Sequence, residues 1–340
     1  MKILITGGCG FIGTNTALYF AEKGHKVIVM DNLSRKGSEI NAELLKRNKK
    51  IFFKCADIES DFNSLMFFID DIDVVIHAAA QVAVTSSVTD PVSDFEINSR
   101  GTLNILEAAR KAIKKPIVIF TSTNKVYGEM KDVELTEEEN RYTYKDKHFG
   151  IPEEQNLDFH SPYGCSKGCA DQYVRDYYRI YGLPTVVFRQ SCIYGLHQFG
   201  IVDQGWVSFL TMSALFDKPI IIFGDGKQVR DVLFMDDLSR AFEKAILFIN
   251  KTKGRIYNIG GGPENTISVI GLISILSEIL GKKIDPTFAD WRSGDQKVYI
   301  SDIRKAEKEF SWKPEASFKE GFDLMLEWIR QNEKILKEFI

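Results

Sequence analysis

Three groups of residues in this 340-residue chain have the types and spacing for redox chemistry on a hydroxyl. Tyr163 and Lys167 form Y-x-x-x-K, which puts both side chains on one face of a helix. A neutral phenol loses its proton only at about pH 10, so tyrosine needs help to act as a base near neutrality. A neighbouring ammonium stabilises the phenolate, and a positive nicotinamide ring adds to that effect. The run PIVIFTST ends on Thr121, Ser122 and Thr123, and a hydroxyl there can hold the reacting oxygen as charge develops on it. Taken singly, a Tyr–Lys pair reads as a surface contact and strand-end hydroxyls as partners for backbone groups.

A glycine loop binds these pieces into one proposal. TGGCGFIG carries Gly7, Gly10 and Gly13 between an apolar strand and a helix, and Asp31 follows Gly13 by 18 residues at the end of the second strand. Glycine permits the tight turn, lets backbone N–H groups approach a pyrophosphate, and allows close packing of strand on helix. Asp31 stands where a carboxylate accepts the adenosine ribose hydroxyls, and it would repel the 2′-phosphate of NADP, so NAD is the expected cofactor. Arg35 pulls the other way, since an arginine could pair with that phosphate. Asp57, after the third strand, reads either as a helix N-cap or as a contact to the adenine amine.

The elements that must position these residues are legible as period and run length. KILIT (2–6), KVIVM (26–30), IFFKC (51–55), DVVIHAA (73–79), PIVIFTS (116–122) and TVVFRQ (185–190) are near-continuous apolar runs, as strands buried on both faces require. Helical segments are expected over 12–23, 94–113 and 165–182. This alternation predicts an α/β fold, a doubly wound parallel sheet of Rossmann type with a smaller C-terminal α/β substrate-binding domain. Residues 1–190, with about 229–258, are assigned to the nucleotide domain. Residues 191–228 and 259–340, with helices near 267–281 and 317–336, form the second.

Composition narrows the function. With 44% hydrophobic and 27% charged residues the chain can bury a core, and a formal net charge of −3 argues against a strongly basic nucleic-acid surface, though not against a local patch. No apolar run approaches the ~18–20 residues of a membrane span. The opening MKILITGG carries no signal-peptide pattern, so the cytoplasm is the expected location. Cys9, Cys55, Cys165, Cys169 and Cys192 are read as reduced, buried cysteines and no metal site is expected, because zinc would need further ligands at usable spacing.

At full length the sequence resembles the extended short-chain dehydrogenase/reductases, specifically the nucleotide-sugar epimerases and dehydratases. The resemblance is carried by TGGCGFIG, DNLSR (31–35), HAAAQVAV (77–84), FTSTNKVYG (120–128), SPYGCSKGCADQYV (161–174), RQSCIYG (189–195), RDVLFMDDL (230–238) and RSGDQ (292–296). It implies Thr123, Tyr163 and Lys167 as the catalytic set. For NAD it implies Gly7, Gly10, Phe11, Ile12, Gly13, Asp31, Asn32, Ser34, Arg35, Asp57, Ile58, Ala78, Ala79, Ala80, Gln81, Asn98, Thr121 and Ser191, with Tyr163 and Lys167. For the sugar nucleotide it implies Val82, Thr123, Lys125, Cys192, Gln204, Arg230 and Arg292. The two arginines would grip the diphosphate, a role suited to a planar, permanent charge. The alternative for each is a surface ion pair.

Within that family, the stretch from LDFHSPYG to RQSCIYG, with QFGIVDQGWV behind it, resembles the group that converts CDP-paratose to CDP-tyvelose at C2. The dehydratases carry Asp–Glu directly after the catalytic Ser/Thr, where this chain has Asn124–Lys125. The resemblance therefore implies an isomerase that borrows and returns a hydride, with a CDP-sugar as ligand. A UDP-sugar 4-epimerase, a 4-ketoreductase or a non-catalytic dinucleotide sensor are the competing readings. A homo-oligomer, dimer or tetramer, is expected, with Tyr177, Tyr178 and Tyr181 of the catalytic helix at an interface.

Overall fold

A computed structural model describes residues 1–292 and 294–340. Strands β1 (Lys2–Thr6), β2 (Lys26–Asp31), β3 (Ile51–Cys55), β4 (Val74–His77) and β5 (Ile117–Thr123) join Thr185–Gln190 and Arg255–Ile259 in a seven-stranded sheet. Every pairing in it is parallel, and the order runs Arg255–Ile259, Thr185–Gln190, β5, β4, β1, β2, β3. The strand order therefore reverses beside β1, where β1 pairs β2 on one side and β4 on the other. Ligands of doubly wound sheets bind in the crevice outside such a switch point.

Apolar clusters cover both faces of this sheet. One packs Ile3, Ile5, Val27 and Val29 against Phe20 of helix α1 (Phe11–Glu22) and against Phe188 and Phe242. The other packs Leu4, Val75, Val118 and Phe120 against the helices of the opposite face, including Ala170 and Val174 of the helix Ser161–Tyr181, which carries Tyr163 and Lys167. Continuous apolar strands are the consequence of burial on both sides.

The second lobe is built around Val229–Phe234, buried along its whole length. It pairs in parallel with Cys192–Tyr194 and Val298–Tyr299 and antiparallel with Thr266–Ser268. This departs from a nucleotide domain taking in residue 229: the backbone of that strand is satisfied by the smaller sheet, and the helices Met235–Leu247 and Ile249–Thr252 return the chain to Arg255–Ile259 at the large sheet's edge. Conversely Ala306, Phe310 and Trp312, far along the chain, pack into the core of the large sheet.

Other boundaries also shift. The helix expected over 94–113 is three pieces, Pro91–Phe95, a π-helical turn Glu96–Arg100 and Gly101–Lys111. The catalytic helix begins at Ser161 rather than 165, with Pro162 in its first turn, where the missing N–H costs nothing. Of the five free cysteines only Cys9 is buried. Cys55 lies on the outer strand of the sheet and Cys165 on the outward side of the catalytic helix, so both meet solvent. Among the described residues no cluster of three or more His, Cys, Asp or Glu could hold a metal ion, and no helix is long and apolar enough to cross a membrane.

Candidate active site

The cofactor side starts at the glycine loop. Gly7 has φ +64°, and a Cβ there would stand 2.6 Å from the Ala79 Cα, so only glycine lets β1 and the Ala78–Ala80 turn pass this closely. A Cβ on Gly13 would lie 2.3 Å from the Gly7 carbonyl oxygen. Gly10 caps α1 with no side chain over its free N–H groups, and beyond the Gly7 carbonyl at 3.2 Å its Cβ position is open. An open helix start of this kind is a natural anion site.

Asp31 ends β2 with its carboxylate taking hydrogen bonds from Cys9 N at 2.9 Å and Leu33 N at 2.8 Å. Burial pushes its pKa up, and the backbone donors of Leu33, Cys9 and Gly10 oppose that. Asn32 Nδ2 donates to Asp57 Oδ2 at 2.7 Å, and Asp57 Oδ1 accepts from Glu59 N at 2.8 Å. The N-cap role expected of Asp57 belongs instead to Asp61, whose carboxylate accepts from Ser64 N. Ser34 is exposed, Phe11 and Ile12 pack partly against the core, and the side chain of Ile58 is turned inward against Gly101.

The catalytic side is anchored on β5. Thr123 is its last residue; its hydroxyl donates to Asn124 Oδ1 at 3.3 Å and accepts from Lys125 N at 3.2 Å, and it faces the Tyr163 phenol closely enough to favour its ionised form. The Tyr163 backbone N–H donates to Ser87 Oγ at 3.1 Å. Burial pushes the phenol up to about 12, with the Thr123 hydroxyl pulling it down and the Asp94 charge adding to the rise. Lys167 Nζ donates to the Thr121 carbonyl at 2.7 Å and lies 4.2 Å from the centre of the Phe120 ring. Burial lowers the ammonium to about 7, against the pull of Asp171 and Asp94. In the chain alone, then, Lys167 spends its hydrogen bond on the strand and Tyr163 is not lowered by it.

Asn98 holds this region to the cofactor side. Its side-chain oxygen accepts from Gln81 N at 3.0 Å, and its amide donates to Gln81 O at 3.0 Å, Asp94 Oδ1 at 3.1 Å and Ser166 Oγ at 3.1 Å. Ser166 in turn donates to Asp94 Oδ2. Thr121 Oγ1 donates to the His77 carbonyl at 3.0 Å, and burial keeps the His77 imidazole neutral, with a pKa of about 3.

Facing the strand ends, Lys125 Nζ lies 3.3 Å from the Gly294 carbonyl and 3.4 Å from Asp295 Oδ1, which also accepts from Arg230 Nη2 at 2.7 Å. Cys192 lies beside them, its sulfur accepting from Trp206 Nε1 at 3.4 Å. Lys125, Cys192 and Arg230 therefore converge. Arg292 stands apart from this group, paired with Asp203 at 3.0 Å and stacked 3.9 Å from the centre of the Phe223 ring. Ser191 is hydrogen-bonded to buried Asp231. Val82 is half-buried next to Gln81. Gln204, expected on the substrate side, lines a cavity with Gly10, Phe11 and Arg35 instead, because the hairpin Ile201–Gln204 folds back over the glycine loop.

The sequence profile described as GDP-mannose 4,6 dehydratase matches residues 4–325. The chain belongs to this family. Its membership places it among the extended short-chain dehydrogenase/reductases, which are NAD-dependent enzymes. CDP-paratose 2-epimerase of Salmonella typhi is 44% identical over 335 residues, 96% of this chain and 99% of that one. The UDP-glucose 4-epimerase of Thermotoga maritima, solved with UDP-glucose, superposes with a TM-score of 0.84 at 33% identity, covering 98% of this chain and 100% of that one. UDP-glucuronic acid 4-epimerase from Bacillus cereus, solved with UDP-glucuronic acid and NAD, gives 0.84 at 29% identity, over 97% of this chain and 99% of that one.

Ser87, Asp94, Ser166 and Asp295 join the site without being singled out by type or spacing in the sequence. Asp94 had a readable signal, since it precedes Asn98 by one helical turn. Asp295 lies inside the RSGDQ motif, but its partners Lys125 and Arg230 are 170 and 65 residues away, so its pairing is set by the fold.

Proposed function

We propose that this chain is an NAD-dependent nucleotide-sugar epimerase that oxidises a sugar carbon transiently and reduces it again, converting CDP-paratose to CDP-tyvelose at C2. The observation that carries the reading is the convergence of Thr123, at the end of β5, on the buried Tyr163 phenol, with Lys167 one turn along the same helix and tied to the Thr121 carbonyl. The full-length similarity to a CDP-paratose 2-epimerase supports the sugar and the carbon. Bound NAD supplies the acceptor, and later the donor, of hydride. The residues do the rest: Tyr163 takes the hydroxyl proton and gives it back, and Thr123 holds the oxygen while charge develops. Lys167 carries the positive charge that favours phenolate. With NAD bound beside it, the phenol has a second source of positive charge, against the burial that raises it in the chain alone.

Arg230 and Lys125 supply positive charge for the sugar-nucleotide diphosphate, with Cys192 and Val82 on the same side, and Arg292 joins them if its loop turns from Asp203. The Asn124–Lys125 pair has no carboxylate to remove a proton at C5, which argues against dehydration. Asp31 argues against an NADPH-consuming reductase. The protein works in the cytoplasm as a dimer or tetramer.

The test is direct. Enzyme with its own NAD and no added cofactor should convert CDP-paratose to CDP-tyvelose with no net change in NADH absorbance, and CDP should raise Tm more than UDP. Conversion of a UDP-sugar at C4 with no action on CDP-paratose would overturn the assignment of substrate and carbon.

A further inference from the structure

A buried polar network, separate from the residues assigned above, ties the helix Ser161–Tyr181 to three strands of the large sheet. Asp171 lies one turn beyond Lys167 on that helix and is wholly shielded from solvent. Its carboxylate accepts from Ser122 Oγ at 2.8 Å, on the residue before Thr123 in β5. Arg189, on Thr185–Gln190, meets it with a fork: Nε donates to Oδ2 at 2.9 Å and Nη2 to Oδ1 at 3.0 Å. Gln172 Nε2 also donates to Oδ1, at 2.9 Å, so both oxygens are engaged twice. The rest of the guanidinium is anchored as well. Its Nη1 donates to the Tyr127 hydroxyl at 3.1 Å, and that hydroxyl donates to Asn258 Oδ1 at 2.7 Å, on the edge strand Arg255–Ile259.

A buried carboxylate is costly unless it is paired and hydrogen-bonded, and a bidentate arginine fixes direction as well as charge. Apolar side chains of similar volume hold a helix on a sheet without that cost, so packing alone does not account for the pair. Its position relative to Lys167 does. The titratable groups around Lys167 are few. Its own helix carries Tyr163 one turn before it and Asp171 one turn after, Pro91–Phe95 brings Asp94, and β4 brings His77, which burial keeps neutral. From β5 come only the Thr121 carbonyl and the Phe120 ring. Burial lowers the ammonium, and of the two carboxylates that oppose this Asp171 has the larger effect. Asp94 is bonded to Ser166 and Asn98, whereas Asp171 is bonded to β5 itself.

We infer that Asp171 is a positioning residue for the Tyr163–Lys167 pair: through Ser122 it locks their helix against the strand that ends on Thr123, and its charge serves as counter-ion to Lys167. Arg189 supplies the fork that fixes the carboxylate's direction. Asp171 acts through Ser122 and Lys167 and touches no reacting atom. The inference rests on the catalytic reading of Tyr163 and Lys167 above and deepens it. Without the Asp171 charge, Lys167 gives up its proton at lower pH, and the phenolate loses the cation that favours it. Without the Ser122 link, the charge stays but the helix and Thr123 are no longer held in one register.

The experiment reads Lys167 directly. Wild type, Asp171→Asn, Ser122→Ala and the double variant Asp171→Asn/Arg189→Met are labelled with ¹³C-lysine, stripped of nucleotide and titrated by NMR. The Lys167 Cε signal is assigned by its absence from Lys167→Met. Its midpoint should fall by about 0.5–2 pH units in Asp171→Asn and stay in place in Ser122→Ala. With NAD and CDP-paratose, the alkaline limb of the kcat profile should move the same way in Asp171→Asn. Ser122→Ala should lose about 3–10-fold in kcat at unchanged KM, with the limb unmoved. The double variant, which leaves no buried guanidinium unpaired, should show the same fall in midpoint and stands in if Asp171→Asn does not fold. A midpoint within about 0.2 pH units of wild type in the aspartate variants marks a merely structural residue and overturns the inference. So does a Ser122→Ala kcat within about twofold of wild type. Wild-type protein whose Lys167 titrates as expected but which leaves CDP-paratose unchanged overturns the substrate reading instead.

Discussion

The ammonium of Lys167 is hydrogen-bonded to the Thr121 carbonyl, on the strand that carries Thr123, and not to the Tyr163 hydroxyl. Its fourth-carbon reach is spent crossing from the helix to the sheet, and burial leaves it at about 7 against 10.5 in an unfolded chain. Between those values the unfolded chain holds more protons, so this residue makes stability rise with pH from about 7 to about 10.5. Lys167→Met should therefore stabilise the fold most below pH 7, by up to about 4 kcal/mol, with the gain fading toward pH 10. Thermal melts at pH 6 and pH 9 measure this, and an equal shift at both would contradict it. Turnover should be lost at either pH.

Tyr163→Phe removes the proton carrier and keeps the ring. Turnover should fall by about 10²–10⁴-fold, while the nucleotide content of the purified protein stays that of wild type. Thr123→Val should cost less, because it removes one donor to the developing oxyanion and leaves the base in place. Rates measured at saturating substrate separate the two, and a Phe variant turning over at wild-type rate would remove Tyr163 from the site.

Asp94 is the hub for the Ser166 hydroxyl and the Asn98 amide. Truncation to alanine takes the carboxylate acceptor from two buried polar groups and should lower stability by about 1–3 kcal/mol. Asp94→Asn, which keeps the shape, should cost less. The comparison is read from denaturant midpoints, and equal losses would mean that bulk rather than hydrogen bonding matters there.

Gly13→Ala places a methyl 2.3 Å from the Gly7 carbonyl and 2.4 Å from the Gly8 Cα, both rigid backbone. The loop must open, and NAD retention should be lost together with about 1–3 kcal/mol of stability. Gly10→Ala meets only the Gly7 carbonyl at 3.2 Å and should fold normally. Calorimetry with NAD⁺ and a melting curve distinguish these outcomes for the pair.

The strands of the large sheet were legible because burial on both faces leaves an unbroken apolar run, and β1, β3 and Thr185–Gln190 fall on the residues expected. Thr123, Tyr163 and Lys167 were legible as a candidate set because their chemistry is rare and their order informative. What escaped was set by tertiary contact. The π-helical turn at Glu96–Arg100 has no sequence period of its own. The start at Ser161 depends on φ +68° at that residue, a backbone state that its side chain does not announce. The fate of Gln204 depended on a hairpin folding across to α1, and that of Val229–Phe234 on which backbone it found to pair with.

The late residues in the first core have a consequence for synthesis. Trp312 and Phe310 pack in one cluster with Ile3, Ile5 and Phe188, although some three hundred residues separate the two ends. On the ribosome the glycine loop emerges early, yet its sheet lacks an edge strand until Arg255–Ile259 follows, and one face of its core lacks Ala306, Phe310 and Trp312 until Trp312 clears the exit. Contacts of such long range fold slowly and leave apolar surface uncovered meanwhile. A chain halted before Trp312 would present that surface to chaperones and proteases rather than a half-built but durable nucleotide fold.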